Sequence, residues 1–592
     1  MTQHLLAMSL GPVQGFIAAA RKGSDLWAGS QLLREVTSAA AIAALDAGAE
    51  LVMPSGDKAA LARSDHPVSN KVLAVVSGDP EALARAMEGA ARDELGKRTE
   101  AALKAVPRDG VDLDLARAQV RELLEVSWAA VPLGPGDDAF RAAAAAVEHL
   151  LAATKTARAF APAPDRPGRP KSSLDPALES VIKDDRRYAR GRENRAAMYR
   201  RLKVRPGERL SGVDLVKRFW GSDDIARVPS TSHVASYSLR RAWLHGDGDM
   251  PALREAWDRF LATLRPFVGK MRPGPQYNDP VMRECDGHLL YPGRLVDLGL
   301  EGDPLRTCEE AQHRLLGDWK RILGDRFHPL SPYYALLMGD GDRIGAALAA
   351  LGKTDRQRVS GYLTAFATRA RKIVQERHGH CIYVGGDDVL AIVPAQQALA
   401  VAVALRDAFR QEVGDQAGRL PGVDPAPTFS AGICVAHHLD PIADALDAAR
   451  AAESDAKQVM GRDALCITVR KRNGAPRSVG MKWAELGVLE ELFELLDREG
   501  DDGLPRGLPY ALREVAARVR PADPNAAGEA QRRLEHSLAR GIARQKHIQG
   551  RGLQVLGLDT DAADPPADFS LLDLADRVEV ARTLAALEGG RA

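Results

Sequence analysis

Cysteine is scarce in this sequence, and its spacing fits no common zinc or disulfide pattern. Five cysteines occur among the 592 residues, namely Cys285, Cys308, Cys381, Cys434 and Cys466. None of them forms a C-x-x-C pair, so the sequence supports neither a zinc ribbon nor a disulfide framework. We therefore predict no bound zinc.

Long apolar runs and an excess of one charge are also absent. No run of 18 or more apolar residues occurs, and residues 1–4 lead directly into a strand-like segment. The sequence therefore predicts no membrane span, no signal peptide and a cytoplasmic location. The 81 basic and 80 acidic residues leave a net charge of +1. Because a free-standing nucleic-acid binder usually has a strong basic excess, any RNA contact is expected to be local or shared with partner subunits.

The clearest structural unit lies at residues 333–472. Its predicted elements are a strand at 333–338, a helix from Thr354, strands at 381–384 and 389–393, a helix at 396–409, a strand at 428–435, a helix at 441–459 and a strand at 464–469. Only Gly-Gly-Asp-Asp separates the second and third strands, which is a hairpin signal. The order β-α-β-β-α-β with an αβ extension predicts a ferredoxin-like palm.

The N-terminal part of the chain predicts a weaker copy of the same plan. Its predicted elements are a strand at 5–10, a helix at 30–45, strands at 51–53 and 72–76, and a long helix from Pro80. Where the second unit has its glycine hairpin, residues 64–67 read Ser-Asp-His-Pro. We therefore predict a palm without metal ligands that is still able to line a nucleotide pocket.

We predict an α+β fold of four domains. They are a first palm at 1–150, a mixed and mostly helical middle domain at 151–330, a catalytic palm at 331–475 and a C-terminal helical domain at 476–592. The middle domain contains a Pro-rich stretch at 161–170 and a basic stretch with Arg186, Arg187, Arg190, Arg192, Arg195, Arg200 and Arg201. This basic stretch is either a solvated helix face or a contact for RNA or another subunit.

Three aspartates are predicted to converge at one edge of the catalytic palm. Asp340 follows the first strand, whereas Asp387 and Asp388 occupy the hairpin after the crossover helix. Adjacent strands lie about 4.8 Å apart, so these carboxylates can share metal ions. Joining a 3′-hydroxyl to an α-phosphate needs an activated hydroxyl and a neutralised phosphate, which two divalent ions roughly 3.5–4 Å apart supply. Hard oxygen ligands favour Mg²⁺ or Mn²⁺ over zinc.

Glycines surround these aspartates. Gly385 and Gly386 permit a tight turn and leave space for a nucleotide over the hairpin. Gly339, Gly341 and Gly345 are expected to leave backbone amides free at a helix start, where a triphosphate is stabilised. The glycines are therefore predicted to shape the nucleotide site.

Two charged residues near the aspartates each have two interpretations. Lys457, on the helix before the last strand, is either a triphosphate clamp or an ordinary surface charge. Asp342 either joins the nucleotide site or caps the helix that follows it.

At these positions the sequence resembles the large palm-domain subunit of type III CRISPR effector complexes, in its subtype B (Cmr-type) form. The resemblance extends over most of the chain and keeps the same order. It rests on residues 10–17 (Leu-Gly-Pro-Val-Gln-Gly-Phe-Ile), 25–30, 206–210, 217–218, 229–231, 340–342, the Gly-Gly-Asp-Asp turn, 430–432, 456–457 and 471–474.

The resemblance implies a subunit that assembles with other Cmr-type proteins and a guide RNA. Binding of a complementary target RNA would then switch on conversion of ATP to cyclic oligoadenylates, an antiviral second messenger. Asp387 and Asp388 would hold metal, with Asp340 as the third ligand. Ser430 would lie near an adenine and Lys457 near phosphates.

Two departures from the family pattern limit what the resemblance implies. Many members begin with an HD nuclease domain, but this chain starts at the first palm and contains no His-Asp dipeptide, so we expect no DNA nuclease activity. Many members also bind zinc through cysteines in the middle region. Here residues 208–211 read Glu-Arg-Leu-Ser, which agrees with the prediction of no zinc.

Two other functions fit parts of the sequence. In the first, the same palm joins ATP to another adenosyl-bearing molecule, such as S-adenosylmethionine. Alternatively, the chain is a non-catalytic scaffold for RNA and neighbouring subunits. The scaffold explains the acidic set poorly, because three converging carboxylates repel one another without a metal. A free-standing diguanylate cyclase fits poorly as well, since two palms with long flanking domains and no sensor module are typical of a complex subunit.

Overall fold

The computed structural model of the chain contains two β-sheets joined and flanked by helices. It describes residues 2–108, 110–156, 168–183, 201–204, 207–220, 228–268, 279–283, 285–497, 503–519, 528–559, 565–566 and 569–588. Of the basic stretch predicted in the middle domain, only Arg201 lies within these ranges. No helix in the described ranges is long and apolar enough to cross a membrane.

The first sheet has four antiparallel strands in the order β2-β3-β1-β4. Its strands are β1 (Gln3–Gly11), β2 (Glu50–Met53), β3 (Lys71–Ser77) and β4 (Glu125–Leu133). The helices of this region are α1 (Gln14–Ala18), α2 (Gly23–Asp46), α3 (Lys58–Ala62), α4 (Pro80–Lys104), α5 (Leu113–Arg121) and α6 (Asp137–Thr156). The strand order and the two crossover helices confirm the predicted ferredoxin-like plan.

Helix α2 begins earlier than the sequence pattern predicts. The predicted start was Ser30, but the helix starts at Gly23. The Asp25 carboxylate accepts hydrogen bonds from the backbone N–H groups of Arg21 and Lys22, at 3.2 and 3.1 Å. These bonds satisfy donors that would otherwise be unpaired at the helix start, which explains the additional turns.

The middle region consists of short and medium helices that share an apolar core with the first palm and with one face of the second sheet. These are α7 (Gly212–Arg218), α8 (Thr231–Ala235), α9 (Tyr237–Leu244), α10 (Met250–Val268), α11 (Pro292–Leu295) and α12 (Gly302–Leu323). Their core contains a cluster of tryptophan rings: Trp319 lies 4.9 Å from Trp243 and 5.8 Å from Trp257 between ring centroids. The predicted mixed and mostly helical region is confirmed.

A buried ion cluster joins this middle region to the first palm. The Arg218 guanidinium contacts the Asp25 carboxylate at 2.8 Å and the Glu208 carboxylate at 3.1 Å, and all three side chains are almost fully buried. Beside it, the Lys217 ammonium donates to the carbonyl of Phe16 at 2.9 Å. Two segments that are far apart in the sequence are therefore held together at the base of α2.

The second sheet has six strands in the order β10-β9-β8-β5-β7-β6. Its strands are β5 (Tyr333–Asp342), β6 (His380–Gly385), β7 (Asp388–Pro394), β8 (Thr428–His437), β9 (Ala464–Val469) and β10 (Arg477–Lys482). The helices that accompany them are α13 (Ile344–Ala350), α14 (Lys353–Glu376), α15 (Ala398–Phe409) and α16 (Ile442–Gln458). Strand β9 runs parallel to β8, and the other neighbours are antiparallel.

Two details of this second palm differ from the prediction. Strand β5 continues through Asp342, because residues 339–342 pair with residues 428–431 of β8. The predicted loop at 339–342 is therefore a strand end. In addition, β10 was not predicted; it extends the sheet by pairing with β9.

The C-terminal part is helical, as predicted. Its helices are α17 (Leu486–Asp497), α18 (Leu508–Val519), α19 (Glu529–Gln545), α20 (Arg551–Val555) and α21 (Leu571–Glu588). They share one apolar core with α14, α15 and one face of the second sheet. The opposite face of that sheet, including Leu336 and Ile392, joins the core of the first palm and the middle helices.

The two palms also touch directly. On α14, the Gln357 side-chain amide donates to the Leu51 carbonyl of β2 at 2.9 Å and to the Glu50 carboxylate at 3.0 Å. The hydroxyls of Ser55 and Thr364 lie 2.7 Å apart at the same contact. The crossover helix of the second palm is thus fixed against an edge strand of the first.

Candidate active site

Three carboxylates meet where β5 passes the hairpin between β6 and β7. One oxygen from each of Asp340, Asp387 and Asp388 can be chosen so that all lie within 4.8 Å of one another. Asp340 and Asp387 are half-buried and Asp388 is exposed. Among the described residues, this is the one group of three acidic, histidine or cysteine side chains close enough to share an ion. The predicted convergence of these aspartates is therefore present in the structure.

The hairpin places its two aspartates by a two-residue turn. Gly385 pairs with Asp388, which leaves Gly386 and Asp387 at the tip. Gly386 has φ +76°, a conformation that side chains with a Cβ rarely adopt. A Cβ on Gly385 would meet the Tyr383 hydroxyl at 1.9 Å. The two glycines therefore have different roles: Gly386 forms the turn, and Gly385 leaves space for the Tyr383 side chain beneath it.

Gly341 provides space for the hairpin rather than a free amide at a helix start. A Cβ there would lie 2.9 Å from the Cβ of Asp387 and 2.7 Å from the ring of Phe409. Gly341 also pairs with Phe429 within the sheet, and α13 begins only at Ile344. The expected helix start at 339–341 is wrong because the strand continues, whereas Gly345 does lie in the first turn of α13. Free amides at these glycines and a nucleotide contact by Gly341 stay predictions.

The close approach of the carboxylates makes their ionisation unfavourable. Desolvation in the cleft, and then the charge of Asp340, raises the pKa of Asp387 to about 7. Desolvation, a hydrogen bond with Asp340 and the charge of Asp387 raise the pKa of Asp388 well above its usual range. Carboxylates arranged in this way are stabilised by a divalent cation, which compensates their mutual repulsion. The donor set consists only of oxygens and fits Mg²⁺ or Mn²⁺.

Lys457 is part of this cluster rather than an isolated surface charge. Its ammonium contacts the Asp340 carboxylate and lies 2.6 Å from Glu453, one turn earlier on α16. Burial lowers the pKa of Lys457, but its hydrogen bonds to Asp340 and Glu453 outweigh this and raise the pKa to about 12. A fixed positive charge therefore stands beside the three aspartates.

The position of α16 depends on Gly432 of β8. A Cβ on this residue would lie 2.2 Å from the amide nitrogen of Glu453 and 2.6 Å from the Ala449 carbonyl oxygen. The helix backbone therefore lies directly on the strand. This close packing brings Glu453 and Lys457 to the C-terminal end of β5, where Asp340 lies.

Asp342 does not cap the following helix, which was one of its two predicted roles. Helix α13 has Arg343 at its N-cap and no side-chain cap bond. Instead, the buried Asp342 carboxylate accepts hydrogen bonds from the Thr428 and Ser430 hydroxyls, both at 2.8 Å, and from the Asp463 backbone N–H at 3.0 Å. It links β5, β8 and the start of β9. Ser430 is fully buried in this network, and its contact with an adenine stays a prediction.

Sequence reasoning missed two residues of the site, Tyr383 and Glu453. Burial, and then the charges of Asp388 and Asp387, raise the pKa of Tyr383, whose ring lies beneath the hairpin. Its place two residues before Gly385 on β6 was the available signal, because alternate residues of a strand share a face. For Glu453, the signal was its i,i+4 spacing from Lys457.

Comparisons with known proteins agree with this arrangement. The family model described as "Cas10/Cmr2, second palm domain" matches residues 333–466, and the one described as "CRISPR-associated protein Cmr2, N-terminal" matches residues 5–104. The CRISPR system Cmr subunit Cmr2 of Pyrococcus furiosus is 25% identical over an alignment that covers 86% of this chain. The alignment covers 66% of that relative, so the chain spans just under two thirds of its length.

Two solved structures share the fold. A chain in the cryo-EM structure of the Type III-B Cmr-beta bound to cognate target RNA gives a TM-score of 0.63 at 12% identity, covering 100% of this chain and 83% of that chain. A chain in the apo state of Type III-B Cmr-beta gives 0.59 at 12% identity, covering 100% and 82%. At this identity the likeness concerns the fold, which both palms and the flanking helices have in common with these chains.

Proposed function

Because the chain belongs to the Cas10/Cmr2 family, we propose that it is the nucleotide-synthesising subunit of a type III-B CRISPR effector complex. In this proposal the second palm converts ATP to cyclic oligoadenylates by metal-dependent nucleotidyl transfer. The observation that carries the proposal is the convergence of Asp340, Asp387 and Asp388 within 4.8 Å on a palm. A scaffold does not need three mutually repelling carboxylates at one strand end.

Asp340, Asp387 and Asp388 would hold two Mg²⁺ or Mn²⁺ ions. When bound, such ions make a 3′-hydroxyl more nucleophilic and neutralise charge on the α-phosphate that it attacks. The fit rests on the all-oxygen donor set and on the raised pKa of Asp387 and Asp388, which marks a site where negative charge is crowded. Sequence and structure therefore support the same three ligands.

Lys457 would bind phosphate oxygens at the edge of this site. Its ammonium stays protonated, since the hydrogen bonds that it donates to Asp340 and Glu453 hold its pKa at about 12. These two acids also fix its direction. A fixed cation stabilises the negative charge of a triphosphate without reorganising when the reaction begins.

The proposed partners are the other Cmr-type subunits, a guide RNA and a complementary target RNA. The chain is electrically balanced, with a net charge of +1, so RNA would be bound together with other subunits. Target binding would act on the palm through the surrounding helices, and the complex would act in the cytoplasm.

The test is product identification by mass spectrometry. The assembled complex is incubated with ATP, Mg²⁺ or Mn²⁺ and target RNA, and a parallel reaction contains S-adenosylmethionine. We expect cyclic adenylates from the wild type and none from Asp387→Ala with Asp388→Ala. The exposed carboxylate variant Asp415→Ala serves as the matched control and should give wild-type product. Detection of a conjugate between ATP and S-adenosylmethionine would support the alternative transfer reaction instead of cyclisation. A complete lack of nucleotide product would favour the non-catalytic scaffold.

A further inference from the structure

Four strands form the ends of the two sheets, and three of them lie against a helix from another part of the chain. Strand β2 contacts α14 of the second palm, β6 contacts α2 of the first palm, and β10 contacts the C-terminal α21. Strand β4 differs, because it packs on β1 and on α6 and α4 of its own palm. Its outer edge therefore needs a separate explanation.

The hydrogen-bond register shows which backbone groups of β4 point outward. In an antiparallel pair, the N–H and C=O of one residue point to the same side, and the side alternates along the strand. The Leu10 N–H donates to the Asn70 carbonyl on the β3 side at 2.9 Å. Its neighbour Ser9 therefore points to β4, where it faces Ser127. It follows that Ser127, Ala129 and Val131 bond to β1, whereas Val126, Trp128, Ala130 and Pro132 point away from the sheet.

These outward groups have no hydrogen-bond partner in the described parts of the chain. This applies to the backbone N–H and C=O groups of Val126, Trp128 and Ala130. Pro132, which has no N–H, occupies the next outward position, as expected for an edge strand. The pairing of β4 with β1 is regular over nine residues, without a bulge, and its sequence EVSWAAVPL contains no lysine. A charged residue and a proline, which are usual means of blocking an edge, therefore occur only at the two ends of this strand, as Glu125 and Pro132.

We propose that the outer edge of β4 is a docking edge at which an extended segment of another subunit adds a fifth strand to the first palm. Three outward residues at alternate positions present donors and acceptors with the period of a strand. An extended backbone is the partner that matches all of them at once. Pro132 limits the docking segment to the part of the edge before it.

This inference rests on the proposed function, because it requires that the chain be a subunit of an assembly. Its first test is amide hydrogen exchange, resolved to single residues, on the full chain alone and in the assembled complex. In the free chain, the amides of Val126, Trp128 and Ala130 should exchange at least tenfold faster than those of Ser127, Ala129 and Val131. In the complex, the outward amides should slow by about tenfold or more.

The second test uses a proline that removes one outward donor. Ala130→Pro leaves the hydrogen bonds of β4 to β1 in place, and the expected result is an affinity for the remaining subunits that is weaker by about tenfold. Ala130→Ser retains the N–H and should assemble like the wild type. Ala129→Pro removes an inward donor and should lower the melting temperature of the free chain. Ala130→Pro should change that melting temperature little.

Each outcome has a separate meaning. A complex that forms while the outward amides stay unprotected overturns the docking edge and leaves the proposed function standing. Protection of the outward amides in the free chain would overturn the inference. If this protection persists on dilution, another segment of this chain covers the edge; if it is lost on dilution, a second copy of the chain covers it. Failure to assemble with any subunit contradicts the docking edge and the proposed function together. Normal assembly of a folded Ala130→Pro also contradicts the docking edge.

Discussion

Gly432 and Glu453 meet without a side chain between them: a Cβ on Gly432 would lie 2.2 Å from the Glu453 amide nitrogen. The strand and the helix touch through their backbones, and the helix carries Lys457 to Asp340. The distance from the sheet to this helix therefore controls where the positive charge of the site stands.

Gly432→Ala is expected to displace α16 and to reduce nucleotide product by at least about tenfold, because misplaced catalytic groups lose much of their effect. Product is measured by chromatography on the assembled complex. Gly361→Ala is the matched control, since a Cβ at that helical glycine would meet nothing within 4 Å. The control should keep full activity and a slightly raised melting temperature. Equal activity in both variants would show that the spacing of the helix is unimportant.

Asp342→Ala is expected to destabilise the chain by about 1–3 kcal/mol, because it leaves the buried Ser430 hydroxyl and two partly buried donors without their acceptor. The Thr428 and Ser430 hydroxyls and the Asp463 N–H would all lose their acceptor. The loss is measured as a lower melting temperature. A variant that melts like the wild type would contradict the structural role assigned to this carboxylate.

Asp388→Asn is expected to behave in the opposite way. Removing one of three crowded carboxylates relieves repulsion, so the metal-free variant should melt at the same temperature as the wild type or higher. Added Mn²⁺ should raise the melting temperature of the wild type and should have less effect on the variant. Equal stabilisation of both proteins by Mn²⁺ would show that the ion binds at a site other than these three aspartates.

Arg218→Met is expected to cost about 3–5 kcal/mol, because it leaves two buried carboxylates without a partner. Asp25 and Glu208 are both almost fully buried beside the guanidinium. Thermal melting measures this loss, with the exposed pair variant Arg85→Met as the control. The exposed Arg85–Glu81 pair should contribute little to stability, as is usual for exposed ion pairs. Similar melting of both variants would show that the buried cluster does not join the middle region to the first palm.

Two buried histidines, His233 and His438, and the half-buried His380 should make the fold sensitive to acid. Burial, and then the charge of Arg240, lowers the pKa of His233 to about 3. Burial also lowers the pKa of His438 to about 3 and that of His380 to about 4. The folded chain therefore binds fewer protons than the unfolded chain between about pH 4 and the ordinary histidine pKa of about 6.5. Stability from these groups is complete above that range and is lost as the pH falls through it.

The measurement is the melting temperature from about pH 7.5 down to about pH 5. His233→Asn can retain an acceptor for the Gly287 N–H, which now donates to the His233 Nδ1 at 2.9 Å. This variant should lose less stability on acidification than the wild type. His149→Asn, at an exposed position, should follow the wild type. An unchanged pH dependence in His233→Asn would contradict the account.

Local patterns predicted that the three aspartates converge, because strand ends and tight turns are encoded by neighbouring residues. The ferredoxin-like order of both palms was predicted for the same reason. The ion pairs that join separate elements were not predicted. The ion pair of Arg218 with Asp25 and the contact of Lys457 with Asp340 arise from packing of separate elements. The end of β5 was also misjudged, since its last residues are held by pairing with β8 rather than by strand propensity.

The most direct test of the central claim is the rate of pyrophosphate release from ATP by the assembled complex with target RNA and Mn²⁺. Formation of each 3′–5′ bond releases one pyrophosphate, so the rate reports nucleotidyl transfer itself. We predict release by the wild type and a loss of at least about a thousandfold in Asp387→Ala with Asp388→Ala, since these residues would hold the metal ions. Equal rates in the two complexes would contradict the assignment of this palm as the catalytic centre.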